Sequence, residues 1–142
     1  MATIKNEYQQ QLRTKLTHIA SGNDIITDAP TDNQGRGEAF SPTDMVAGSL
    51  SACMMTIMGI KARQFNFDLE GLQSEVTKIM TDQPRRIGEI VVAFSWPNCP
   101  ADEQQRTILK RAANTCPVAL SLNPDIKQTV TFDFWFSQIE QI

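Results

Sequence analysis

Phe40-Ser41-Pro42-Thr43-Asp44-Met45-Val46-Ala47-Gly48-Ser49-Leu50-Ser51-Ala52-Cys53-Met54-Met55-Thr56-Ile57-Met58-Gly59-Ile60 is the stretch on which the fold turns. Ser41, Pro42 and Asp44 mark a helix start. A hydroxyl can satisfy early backbone N–H groups, proline at the first helical position has no N–H to lose, and an acid complements the positive helix end. The pattern predicts a helix running to about Gln64. Ala47, Gly48, Ser49, Ser51 and Ala52 admit close approach of another backbone, while Met54, Met55, Ile57, Met58 and Ile60 supply apolar surface on almost every side. A central helix packed on more than one face is expected. Its uncharged part, 45–60, falls short of the about 20 residues that span a bilayer, so no membrane association is expected.

Working outward, Tyr8 to Ile26 reads as a hairpin broken by the turn formers Ser21-Gly22-Asn23-Asp24. Asp28 to Ala39, with Gly35 and Gly37 flanking Arg36, reads as a mobile surface loop, a setting that often carries function. Beyond the helix, Phe65 to Met80 and Arg86 to Trp96 read as strands joined at Asp82-Gln83-Pro84. Asp102 to Ala113 has the rhythm of an amphipathic helix, and Pro117 to Leu122 continues it after a proline break at which Cys116 sits. Val130, Phe132, Phe134 and Phe136 alternate with Thr131, Asp133 and Trp135, which predicts a last strand. Grouped strands around two helices, with no Gly-rich phosphate loop after a strand, give an α+β class and a single domain over 1–142.

The net charge of −3 and pI near 5.1 give no electrostatic reason to bind a phosphate backbone, so nucleic acid is not an expected partner. Met1 to Gln11 lacks the apolar core of a secretory signal, which makes a cytoplasmic location the default expectation. In that compartment thiols are kept reduced, so three cysteines point to redox chemistry rather than a structural disulfide framework. They also lack the paired spacing of zinc ligands, and no metal site is expected. His18 is the only histidine and no serine sits in a G-x-S-x-G elbow, so hydrolase chemistry carries little weight.

Cys53 lies in mid-helix, beyond the first turn where the helix dipole favours a thiolate. Reactivity there calls for a neighbouring guanidinium, and Arg36 or Arg13 is the candidate. A cysteine in an apolar helix is otherwise a small buried hydrophobe. Cys116, in Thr115-Cys116-Pro117, stands at a helix N-terminus whose N–H groups favour an anionic sulfur. Asp44 reads equally as a helix cap and as a catalytic acid. Cys99 is expected in a surface turn before a helix with no role, and His18 on a strand surface.

Phe40 to Cys53, followed by Cys116-Pro117-Val118 and Ser121-Leu122, resembles the OsmC/Ohr family over nearly the whole chain. The resemblance implies antiparallel sheets enclosing the long helix, in an intertwined homodimer. It further implies a peroxidatic Cys53 that attacks a hydroperoxide, a resolving Cys116, and an arginine and an acid completing the site. Arg36, Arg13 and Asp44 are the positions that answer to those last two here, with Thr43 standing where hydroperoxide resistance proteins carry glutamate. The implied function is thiol-dependent reduction of organic hydroperoxides, with an external dithiol reductant that in the family is often a lipoylated protein, and without metal, flavin or haem. The alternative is an OsmC-like small-molecule-binding or redox-sensing protein without fast turnover.

Overall fold

The computed structural model describes residues 1–133. They divide into two compact units, Met1–Val46 and a second beginning at Ala47. The architecture is α+β, with two three-stranded sheets and a long helix.

In the first unit β1 (Ile4–Tyr8), β2 (Arg13–His18) and β3 (Asp24–Asp28) form an antiparallel meander in that order. The β2–β3 hairpin turns where the sequence reading placed it, with His18 N donating to Asn23 O at 2.8 Å. β1 is an addition: all five of its residues are exposed, so no burial alternation announced it. Its turn into β2 takes Gln10, Gln11 and Leu12 through positive φ (77°, 52° and 64°), a conformation uncommon for residues with a Cβ.

The expected mobile loop is closely hydrogen-bonded. Asn33 N and Gly35 N both donate to Pro30 O at 2.9 Å, and Gly37 N donates to Ala29 O at 3.2 Å. A Cβ on Gly35 would overlap the Ala29 carbonyl, so only glycine permits this approach. Phe40 then forms a parallel bridge to Thr27, leading the chain into the helix.

α1 (Pro42–Arg63) starts one residue after Ser41, as expected. Ser41 Oγ accepts from Asp44 N at 3.1 Å and Asp44 Oδ2 accepts from Ser41 N at 2.9 Å, a reciprocal cap that satisfies two otherwise orphaned donors. Lys61 and Arg63 in the last turn complement the negative end. Burial falls on Ala47, Leu50, Ser51, Met54, Met58 and Ala62, steps of three and four that make one stripe. Cys53, Met55 and Ile57 pack partly buried beside that stripe, while Ile60 remains 54% exposed and Val46 38%. At 22 residues α1 also exceeds the expected apolar stretch and is long and apolar enough to cross a membrane, yet its stripe belongs to the protein core.

In the second unit β4 (Gln73–Thr81) pairs antiparallel with β5 (Arg86–Ser95), with an irregularity at Ile79/Met80. β6 (Lys127–Asp133) pairs with β5 in parallel, beside the antiparallel β4–β5 pair. Parallel neighbours need a crossover, here supplied by α2 (Glu103–Ala113) and α3 (Pro117–Ser121). Asp102 caps α2 through a reciprocal box with Gln105. Ile90, Val92, Phe94 and Trp96 form the β5 side of the core, joined by Leu109 and the α1 stripe. Each such side chain contributes about 1.5–3 kcal/mol by leaving water. Phe65 to Leu72, expected as strand, is irregular: after α1 it packs Phe67, Leu69 and Leu72 against the core without strand pairing. The expected strand residues Phe134, Trp135 and Phe136 lie outside the described residues.

Candidate functional site

The second unit brings two thiols together. Cys53 is half-buried on α1 and packed against the core cluster. Cys116 is the N-cap of α3, wholly buried, and its Sγ accepts from Ala119 N at 3.3 Å. Pro117 follows at the first helical position, so the break that the sequence suggested is a helix start with sulfur as its cap.

Cys53 and Cys116 are near enough to act on each other's titration, and all three cysteines are free thiols. Burial pushes the Cys116 thiol above its ordinary pKa; the Ala119 N–H opposes this, and Cys53 pushes it further up. This corrects the expectation that the helix N-terminus holds Cys116 as an anion. A five-residue helix offers few aligned dipoles, and desolvation outweighs them. Burial and the nearby Cys53 thus both favour the thiol form of Cys116.

Cys99 does lie in the turn before α2, but its thiol is buried rather than at the surface, only 4% exposed. Burial raises its pKa, against the Ala101 N–H and the charge of Arg106. It has the character of a core side chain. His18 is exposed and its Nδ1 lies 2.7 Å from Ser21 Oγ.

The two candidate arginines and Asp44 belong to the first unit. Arg13 faces Asp28 across the β2–β3 pair and binds it with both ends of its guanidinium: Nε to Oδ1 at 2.7 Å and Nη2 to Oδ2 at 2.8 Å. Asp28 is 1% exposed and also accepts from Glu38 N at 3.1 Å. The Arg13 hydrogen bonds, above all, hold the Asp28 carboxyl below the usual carboxylate range, and the charge of Arg36 acts in the same direction. The same pairing raises Arg13. Arg36 is exposed on the loop between the two glycines. Asp44 is engaged as the α1 cap.

Asp28 and Glu38 went unread in the sequence. Asp28 becomes identifiable only once the strand register puts it opposite Arg13. Among the described residues no group of three or more His, Cys, Asp or Glu is arranged to hold a metal ion.

A family model described as "OsmC-like protein" matches residues 35–131. A solved structure provisionally described as an osmotic stress induced and detoxification response protein, from Psychrobacter arcticus 273-4, is 52% identical. It matches with a TM-score of 0.89 over 93% of this chain and 96% of that one. An organic hydroperoxide resistance protein OsmC from Legionella pneumophila is 14% identical, with a TM-score of 0.68 over 94% and 98% of the two chains. The organic hydroperoxide resistance protein OhrB of Bacillus subtilis is 16% identical, with a TM-score of 0.62 over 93% and 98%. The last two likenesses are of fold. No curated protein matches the sequence significantly.

Proposed function

Because this chain belongs to the OsmC-like protein family, we propose that it reduces organic hydroperoxides by a two-cysteine mechanism as part of peroxide defence. The observation that carries this reading is the nearness of Cys53 and Cys116 as free thiols on two separate helices. The names of the fold neighbours from Legionella pneumophila and Bacillus subtilis point the same way.

In the proposed reaction the Cys53 thiolate attacks the terminal O–O bond of the peroxide. The S–O bond forms, the O–O bond breaks, and the alkoxide leaves as an alcohol after taking a proton, while Cys53 becomes a sulfenic acid. Cys116 then displaces the hydroxyl: a Cys53–Cys116 disulfide forms, and the Cys116 proton leaves with that hydroxyl as water. A sulfur held protonated by burial is suited to this second role, since it does not compete for the peroxide in the first. An external dithiol, a lipoylated protein being one such carrier, returns both electrons and both protons.

Of the two arginines, Arg13 is engaged by Asp28, so Arg36 is assigned as the guanidinium that supports the thiolate. The carboxyl of Asp44 is read as the site's acid, doubling as the α1 cap. A homodimer accords with the apolar side chains left exposed on α1, Val46 and Ile60, and a cytoplasmic setting with three free cysteines. A redox-sensing role has one observation in its favour: the capping bond of Asp44 competes with any orienting contact to peroxide.

Equimolar cumene hydroperoxide is added to the reduced protein and the products are read by mass spectrometry. A Cys53–Cys116 disulfide within seconds is expected, lost in Cys53→Ser and replaced by a trappable sulfenic acid in Cys116→Ser. Persistence of free Cys53 in the wild type sinks the peroxidase reading; a disulfide without turnover on a dithiol supports the sensor.

A further inference from the structure

The inner face of β6 carries Gln128, Val130 and Phe132 at alternate positions, and a glutamine in a row otherwise facing the core calls for a reason. Gln128 is half-buried and its Nε2 donates to Ala119 O at 3.0 Å. That carbonyl lies in the last turn of α3, where a helix leaves its acceptors without intrahelical donors. Ala119 is thus held at both ends, its N–H on Cys116 Sγ and its C=O on Gln128.

A helix of five residues does not persist on its own, and sulfur is a weaker acceptor than the oxygen of the usual capping residues. Something outside α3 must hold its turn, and Gln128 is the side chain that does so with a directed bond. We propose that Gln128 is a positioning residue for Cys116: by anchoring Ala119 it holds the Cys116 sulfur against Cys53 and sets the rate at which the disulfide closes. This rests on the two-cysteine reading for its biological meaning, though the geometry it describes is that of the thiol pair itself. The step affected is the second one only. Formation of the Cys53 sulfenic acid does not involve α3, whereas displacement of its hydroxyl by Cys116 does.

The test uses Gln128→Met, which keeps the packing and loses the donor, and Gln128→Glu, which keeps the shape and presents an acceptor to the carbonyl. Two oxidants are applied to each reduced protein: cumene hydroperoxide, with dimedone trapping of the sulfenic acid, and diamide, which closes adjacent dithiols without peroxide chemistry. Losing one hydrogen bond of ordinary worth slows disulfide closure about tenfold with either oxidant. Sulfenic acid formation stays within about twofold of wild type, and dimedone adduct accumulates. A merely structural role would instead slow both steps together, with a fall in melting temperature, and would overturn the proposal. So would closure at the wild-type rate in both variants. Wild type that closes with diamide but not with hydroperoxide defeats the peroxidase reading; slower diamide closure in the variants then still upholds the positioning role.

Discussion

The two sheets have three strands each, but different forces hold them. In the β1–β2–β3 meander the residues of β1 are all exposed, and the buried side chains are Thr27 and Asp28, the latter clamped by Arg13. In the β4–β5–β6 sheet Ile90, Val92 and Phe94 of β5, and Trp96 just beyond it, are sealed from water. One sheet is organised around a part-buried charge pair and the other around apolar area. A charge pair gives register and orientation, because only one geometry satisfies two parallel hydrogen bonds. Apolar burial gives most of the free energy. The first sheet is therefore specified more strongly than it is stabilised, and its response to pH and mutation should differ in kind from that of the second.

Four substitutions sharpen or break that contrast. Phe94→Ala, which empties a site stacked on Phe132 with ring centroids 5.3 Å apart, should cost about 3–5 kcal/mol in urea unfolding. A cost below about 1 kcal/mol would mean that the second sheet is not held by its core. Gly35→Ala forces the loop off the Ala29 carbonyl and should cost about 1–3 kcal/mol, with faster amide exchange at Gly37. Unchanged exchange would show that the loop closes by some other contact.

The two remaining effects are read as pH flanks. Asp28 has a lowered folded-state pKa, so its contribution is present above the ordinary aspartate value of about 3.9 and is lost as pH falls through the folded value. Asp28→Asn should remove that acid-dependent part, leaving a flatter stability profile in acid. Cys116 has a raised pKa, so its contribution is complete below the ordinary thiol value of about 8.5 and is lost as pH rises through the folded value. Cys116→Ser should flatten the alkaline flank by the smallest amount of the four, because the raised thiol of Cys99 remains. An alkaline flank unchanged in Cys116→Ser would place the titration elsewhere.

What could be read from the sequence follows the same division. The α1 start and the proline-led α3 were legible from their capping signals, and the β5 run from its burial pattern. Ile4–Tyr8 was not, since an exposed strand carries no hydrophobic period. Phe65 to Leu72 misled because Phe65, Phe67 and Leu69 alternate while serving a loop that lies on the core. The direction of β6 is set by its pairing partner, which strand pattern does not encode. At the site, both thiols were identifiable by type and motif. Their nearness, the burial of Cys116 and the Gln128 bond to Ala119 depend on contacts between residues far apart in the chain, which spacing alone cannot reveal. Arg13 was singled out as a candidate to support a thiolate, and its partner Asp28, opposite it on the neighbouring strand, was not.

The parallel placement of β6 beside β5 also orders events in time. The first meander joins neighbours in sequence and can form as soon as its strands have left the ribosome, whereas β6 must find β5 across the whole α2–α3 crossover, a contact of high sequence separation that closes late. A nascent chain that has reached Leu122 already carries both Cys53 and Cys116 but not Gln128. Its two thiols are therefore made before the strand whose Gln128 bonds to Ala119.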